Sequence, residues 1–370
     1  MLSVIGMIIA ELVTLIYGIG LVSPYILDTG YEHEMFVLLP FFVTVVVIKG
    51  GALLAYYLLI VAAIVSSCVW ILLKNYKLFS KELLMKAKSR EHSAIFDISG
   101  LLFTSIFMTL AIVFLAWLLG ASNTGGVSID DLEESLFILA NASVWEELAV
   151  RVMFIGVPLL VVHQIKHKRR RWYSYILGGK FEFGIPEVVL VIASATIFGY
   201  AHYLGGWGAW KIPAAAIGGL AFGYLFLKHG LAAAIVMHFV TDYSAMSSEV
   251  FGFSNVIEGL VLLAWAGLGI AFTVYYIMRV AEFLAGKRYL DEKPRPTGVY
   301  WPQPSPYQTG PVVWTQPYPP PQNTQSPVGS NYPVTPSESR YMGYVCPYCG
   351  HTEARWTNGR FQCLRCGQLS

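Results

Sequence analysis

The stretch Ser143-Val144-Trp145-Glu146-Glu147-Leu148-Ala149-Val150-Arg151-Val152-Met153-Phe154 puts two carboxylates and a guanidinium inside a run that is otherwise apolar from about Leu136 to Val162. Read as a membrane helix, that run carries three ionisable groups near bilayer depth. Each costs roughly 2.5–3.5 kcal/mol on insertion scales if it is left unpaired, so the groups need partners and a purpose. On a helix, Glu147 and Arg151 are four apart and share a face. Glu146 points about 100° away from Glu147 and is not committed to the same arginine. One carboxylate can therefore be held while its neighbour stays free for chemistry.

The whole composition agrees with a membrane reading. Of 370 residues, 55% are hydrophobic and 13% charged, against about 25% charged in a soluble domain. The expected class is an all-α polytopic membrane protein of about eight transmembrane helices, with a small C-terminal zinc ribbon. A net charge of +2 argues against nucleic acid as a partner. The lipid bilayer is the first partner.

Working outward in both directions, a span needs about 20 apolar residues to cross roughly 30 Å of hydrocarbon. Ser3–Val22, interrupted by Glu11, is read as a retained span, since no basic n-region or small-x-small site marks a signal peptide. Ser23–Glu34 is acidic and reads as external. Phe36–Ile48 is apolar but short, and is expected to be an interfacial or re-entrant piece, or an extension of the next helix. The other expected spans are Ala52–Leu73, Ser99–Leu119, Ser135–Val162, Glu187–Leu204, Ile212–Leu227, Leu231–Met246 and Val256–Met278. Lys74–Arg90, Lys166–Arg171 and Arg279–Arg288 are basic clusters, which the positive-inside rule places in the cytoplasm together with both termini. Pro158 should kink the fourth span. Gly and Ala in the later spans let helices approach closely.

Two further spans carry polar groups: Phe198-Gly199-Tyr200-Ala201-His202, and Met237-His238-Phe239-Val240-Thr241-Asp242, where His238 and Asp242 share a face. Each has a plainer reading. Glu147–Arg151 alone is a structural ion pair, His202 alone an interfacial hydrogen-bonder, and His238 with Asp242 a satisfied pair. Three such groups in one bundle are more economically explained by one wet cavity. Together they suit amide hydrolysis: Glu146 takes a proton from water, while His202 and His238 polarise the carbonyl or bind a metal. Asp242 orients His238 or the leaving group.

Glu146-Glu147-x-x-x-Arg151, Phe198-x-x-x-His202 and His238-x-x-x-Asp242, in that order, resemble the signature of the CaaX prenyl protease and bacteriocin-processing family of intramembrane endopeptidases. The resemblance covers about residues 135–243. It implies an eight-span membrane core and Glu146 as the base that activates water, with Glu147, Arg151, Phe198, His202, His238 and Asp242 forming the rest of the site. It also implies a membrane-associated peptide or protein substrate, C-terminally prenylated in one branch. Asp242 stands where that branch usually has Asn, and a carboxylate cannot donate to an oxyanion. The residues leave open whether Glu147, His202 and His238 hold an active-site zinc. They also leave open a silent scaffold and a proton-coupled transporter.

The soluble end gives a second signal. After the membrane domain (1–288), a Pro-rich linker (289–340) precedes a segment (341–370) with Cys346-Pro347-Tyr348-Cys349-Gly350 and Cys363-Leu364-Arg365-Cys366-Gly367. Two Cys-x-x-Cys-Gly pairs fit a closed four-thiolate structural zinc site. The ribbon or the linker offers a surface for a protein partner. Cys68, alone in an apolar run, reads as a buried spectator.

Overall fold

The computed structural model describes residues 1–38, 41–84, 92–120, 131–167, 170–244, 246–252, 255–285, 340–342, 353–357 and 360–363. The chain divides into two compact units, Met1–Thr297 and Gly298–Ser370.

The first unit is helical. Its helices are α1 (Leu2–Asp28), α2 (Gly50–Leu83), α3 (Ala94–Leu118), α4 (Leu132–Glu146), α5 (Val157–Ile165), α6 (Tyr173–Leu177), α7 (Ile185–Leu204), α8 (Lys211–Lys228), α9 (Leu231–Tyr243), α10 (Met246–Phe251) and α11 (Asn255–Leu284). A π-helical segment, Glu147–Gly156, joins α4 to α5 without a break. Among the described residues, six helical stretches are long and apolar enough to cross a membrane: α1, α2, α3, the α4–α5 rod, α7 and α11. The chain is thus a multi-pass membrane protein, but the eight expected spans reduce to six by length and composition. The other two are α8, with 18 residues, and α9, with 13. At 1.5 Å per residue α9 reaches only about 20 Å. Buried residues run almost continuously along it from Leu231 to Tyr243. A helix enclosed by other helices is not bound to match the hydrocarbon thickness.

Of the readings open for Phe36–Ile48, an interfacial or re-entrant piece or an extension of the next helix, the helical one does not hold. The segment is an antiparallel hairpin of β1 (Glu32–Leu38) and β2 (Phe42–Lys49), with Glu32 opposite Lys49 and a register shift between Met35 and Phe36. The run Val43-Thr44-Val45-Val46-Val47-Ile48 is wholly β-branched, which stiffens χ1 and favours a pleated surface over a helix. Lys49 Nζ bonds Glu32 across the base of the hairpin at 2.8 Å. Trp145 Nε1 donates to the Phe36 carbonyl at 2.9 Å and so docks the hairpin on α4.

α7 lies along α8, and α3 along α11. Small residues set the first approach. A Cβ on Gly199 would meet the Ile212 carbonyl oxygen at 2.4 Å, and one on Gly219 would meet Ala195 Cα at 2.9 Å. The end of the bundle away from the hairpin is fastened by two buried polar clusters. Asp97 pairs with Lys228 and His229 at 2.9 and 2.6 Å. His163 lies between Tyr175 Oη and Glu187, at 3.0 and 3.1 Å.

In the second unit, β3 (Arg340–Met342), β4 (Glu353–Thr357) and β5 (Arg360–Cys363) form an antiparallel sheet in the order β3-β4-β5. Cys346, Cys349 and Cys366, and with them the zinc ribbon, lie outside the described residues, and so does most of the linker.

Candidate functional site

The site is built where three elements meet: the end of α4 with the π-helical turn after it, the C-terminal half of α7, and α9. Glu146 is the last residue of α4 and Glu147 the first of the π-helical segment, a helix type that often marks functional sites. Pro158 lies two residues past the end of this segment. Proline has no N–H for the ladder and crowds the carbonyl four residues back, and the i→i+5 winding ahead of it absorbs the mismatch. The charged residues therefore sit on a wider turn than the α-helix expected from sequence.

Glu147 and Arg151 are fully buried. Arg151 Nε donates to Glu147 Oε2 at 3.0 Å. Its Nη1 donates to Ser194 Oγ on α7 at 2.9 Å, and its guanidinium lies 4.7 Å from the centre of the Phe198 ring. Phe198 is thus a wall for the arginine, and Ser194, one turn before it, is a partner that the motif does not contain. The signal for Ser194 was its spacing of four from Phe198.

His238 on α9 is buried and faces carboxylates from both ring nitrogens: Nδ1 lies 2.9 Å from Glu147 Oε1 and Nε2 3.1 Å from Asp242 Oδ2. Glu146 Oε2 is 3.8 Å from the same Nε2. The ring stacks on Phe222 with centroids 4.6 Å apart. Donating to two carboxylates requires N–H on both nitrogens, the imidazolium form. Arg151 and His238 then offset two of the three negative charges in the cluster, leaving one carboxylate charge over. Glu146 is the member that makes no hydrogen bond among the described residues, with a third of its side chain accessible. Asp242 accepts from His238 and orients it.

His202 ends α7 half-buried, with Nδ1 2.9 Å from the Phe198 carbonyl. A carbonyl only accepts, so Nδ1 carries hydrogen and Nε2 is the nitrogen left for a reacting group. Glu146, His202 and Asp242 line one cavity of about 800 Å³. One side of it is apolar, with Phe36, Leu38 and Phe42 from the hairpin and Ile138, Leu139 and Phe154 from the α4–α5 rod. Trp207 and Lys211, in and just after the turn between α7 and α8, complete it. The hairpin, Trp207 and Lys211 were not read as site elements from sequence, because nothing in their spacing ties them to the motifs.

Among the described residues, no group of three or more His, Cys, Asp and Glu side chains is disposed to hold a metal ion. Glu147 is taken up by Arg151 and His238, and both His238 nitrogens already face carboxylates. Among the described residues, the donors present do not form an open metal site.

Residues 132–244 match the family model described as type II CAAX prenyl endopeptidase Rce1-like. The matched segment runs from the start of α4 to just past α9 and holds Glu146, Glu147, Arg151, Phe198, His202, His238 and Asp242. The match covers less than a third of the chain and is a likeness to that family over this segment. No curated protein and no solved structure matches the chain.

Proposed function

We propose that the chain is an intramembrane endopeptidase that hydrolyses a peptide bond near the C-terminus of a lipidated, membrane-associated substrate. One observation carries the reading. Of three clustered carboxylates, two are engaged by Arg151 and His238, and Glu146 alone faces the cavity without a hydrogen bond among the described residues.

In this reading Glu146 accepts a proton from water, and the hydroxide oxygen bonds to the scissile carbonyl carbon. The C=O π pair moves to oxygen, which becomes the oxyanion. His202 gives Nδ1–H to the Phe198 carbonyl, so its Nε2 is an acceptor that orients the attacking water. Collapse re-forms the carbonyl and breaks the C–N bond. Glu146 returns its proton to the departing amine, so the carboxylate is regenerated. His238 keeps both the Glu147–Arg151 pair and Asp242 in place, which fixes Glu146 beside them. The apolar side of the cavity takes the lipid or apolar side chains of the substrate.

The test is cleavage of a lipidated peptide library by the purified full chain in nanodiscs. Glu146→Gln should lower kcat by about 10²–10⁴-fold, and His238→Ala should lose activity similarly. Equal cleavage by wild type and both variants would sink the reading.

A further inference from the structure

We infer that His33 is a pH-sensitive latch for the β-hairpin: with a neutral imidazole it holds β1 on α4 beside the cavity, and on protonation it lets go. The device works whether or not the chain is a peptidase, and its test needs no substrate.

β1 is tied to α4 at two points. One is the bond from Trp145 Nε1 to the Phe36 carbonyl. The other is a chain of side chains one turn earlier on α4. Tyr56 Oη donates to Asn141 Oδ1 at 2.6 Å, and Asn141 Nδ2 lies 3.3 Å from His33 Nε2. Asn141 is buried, and the tyrosine fixes which way its amide points. A phenol hydroxyl needs an acceptor for its hydrogen, which the amide oxygen supplies, so the NH2 group is the one turned to the histidine. An NH2 group only donates. His33 Nε2 therefore accepts, which is the neutral imidazole with its hydrogen on Nδ1. Protonation puts a hydrogen on Nε2 as well, and two donors then face each other across a partly buried contact. The hydrogen bond becomes a clash that separation relieves.

The surroundings offer the imidazolium little compensation. The ring rests edge-on against Phe137 of α4, with centroids 4.9 Å apart, and Ile48 is opposite it on β2. Of the charged groups nearby, Glu32 is held by Lys49 at 2.8 Å, Glu34 accepts from Thr44 at 3.0 Å, and Glu134 on α4 accepts from Tyr25. Tyr56 from α2 and Tyr31, edge-on to the same Phe137, are phenols that stay neutral over the pH range in which histidine titrates. Burial pushes the imidazole below its ordinary range, and the Glu34 charge offsets this only in part. The docked hairpin thus binds fewer protons than the released one. Docking is complete above the ordinary histidine value of 6.5 and is lost progressively as the pH falls below it. β1 carries Phe36 and Leu38 into the cavity wall, so release opens the cavity on the hairpin side.

The experiment is hydrogen exchange by mass spectrometry on the full chain in nanodiscs at about pH 8 and about pH 5, with rates corrected for the intrinsic effect of pH. In wild type, protection of β1 and β2 should fall about tenfold or more at the lower pH, the order of one hydrogen bond turned to a clash, while α3 keeps its protection. His33→Gln, whose amide oxygen accepts from Asn141 and does not titrate, should hold its protection at both pH values. Asn141→Asp gives the imidazolium an acceptor and should reverse the sign, so that protection rises at the lower pH. No selective fall in wild type overturns the inference, and so does a fall of the same size in His33→Gln. If His33→Gln is unprotected at both pH values, Asn141→Asp decides: protection that rises at the lower pH supports the latch, and protection that does not rise overturns it.

Discussion

The two glutamates of the motif are neighbours in sequence and opposites in environment. Glu147 is wholly enclosed and bound by Arg151 and His238, whereas Glu146 keeps an opening to the cavity. Their mutations should separate stability from activity. Arg151→Met leaves the buried Glu147 charge short of its main partner, which costs about 3–5 kcal/mol. The variant should show a clearly lower midpoint of thermal unfolding in detergent. Glu146→Gln removes no hydrogen bond and should stay within about 0.5 kcal/mol of wild type, while lowering kcat by about 10²–10⁴-fold. Equal destabilisation by the two changes would refute this division of roles. The Glu147–Arg151 pairing was legible in the sequence, because a spacing of four puts both on one helix face. What sequence could not supply was which cross-helix partners meet, such as Phe222, whose ring stacks on His238.

At the scale of elements, residue spacing and the actual winding part company. The charged turn is π-helical, and Phe36–Ile48 is a hairpin, not an extension of the next helix. In both cases a local chemical fact, Pro158 in one and an unbroken β-branched run in the other, decided against the simplest apolar-helix reading. Hydropathy alone does not distinguish a short apolar strand from a helix. The α7–α8 pairing was more readable, since Gly199 and Gly219 stand where a side chain would strike the facing backbone. In the second unit, β4 falls between the two Cys-x-x-Cys pairs and β5 ends on Cys363, the first cysteine of the second. From that spacing we expect Cys346, Cys349, Cys363 and Cys366 to hold one structural zinc per chain. Metal analysis of purified protein should find about one equivalent. Replacing Cys346 and Cys349 together by Ser should remove it, and a zinc content unchanged by that replacement would count against the ribbon.

At the scale of the whole membrane unit, every connection that builds the cavity lies at one end of the bundle. The hairpin links α1 to α2, the start of α4 brings Asp131 and Glu134, and the turn from α7 to α8 brings His202, Trp207 and Lys211. The opposite end carries the connections from α2 to α3, α5 to α7 and α8 to α9. Its residues include Lys74, Lys77, Lys81, Lys166, Arg170, Arg171, Lys180 and Lys228, whereas the cavity end holds Lys49 and Lys211. Loops rich in Lys and Arg stay on the cytoplasmic side of the membrane. The cavity mouth should therefore face away from the cytoplasm, and substrate should arrive from the outer leaflet or beyond. An epitope inserted in the hairpin turn between β1 and β2 should be reached by antibody on intact cells. One inserted between α5 and α6 should be reached only after permeabilisation. The reverse pattern would turn the cavity toward the cytoplasm and make cytosolic lipidated proteins its substrates. The positive-inside argument sets the first outcome as the expectation, because at least eight basic residues would otherwise have to lie outside against two within.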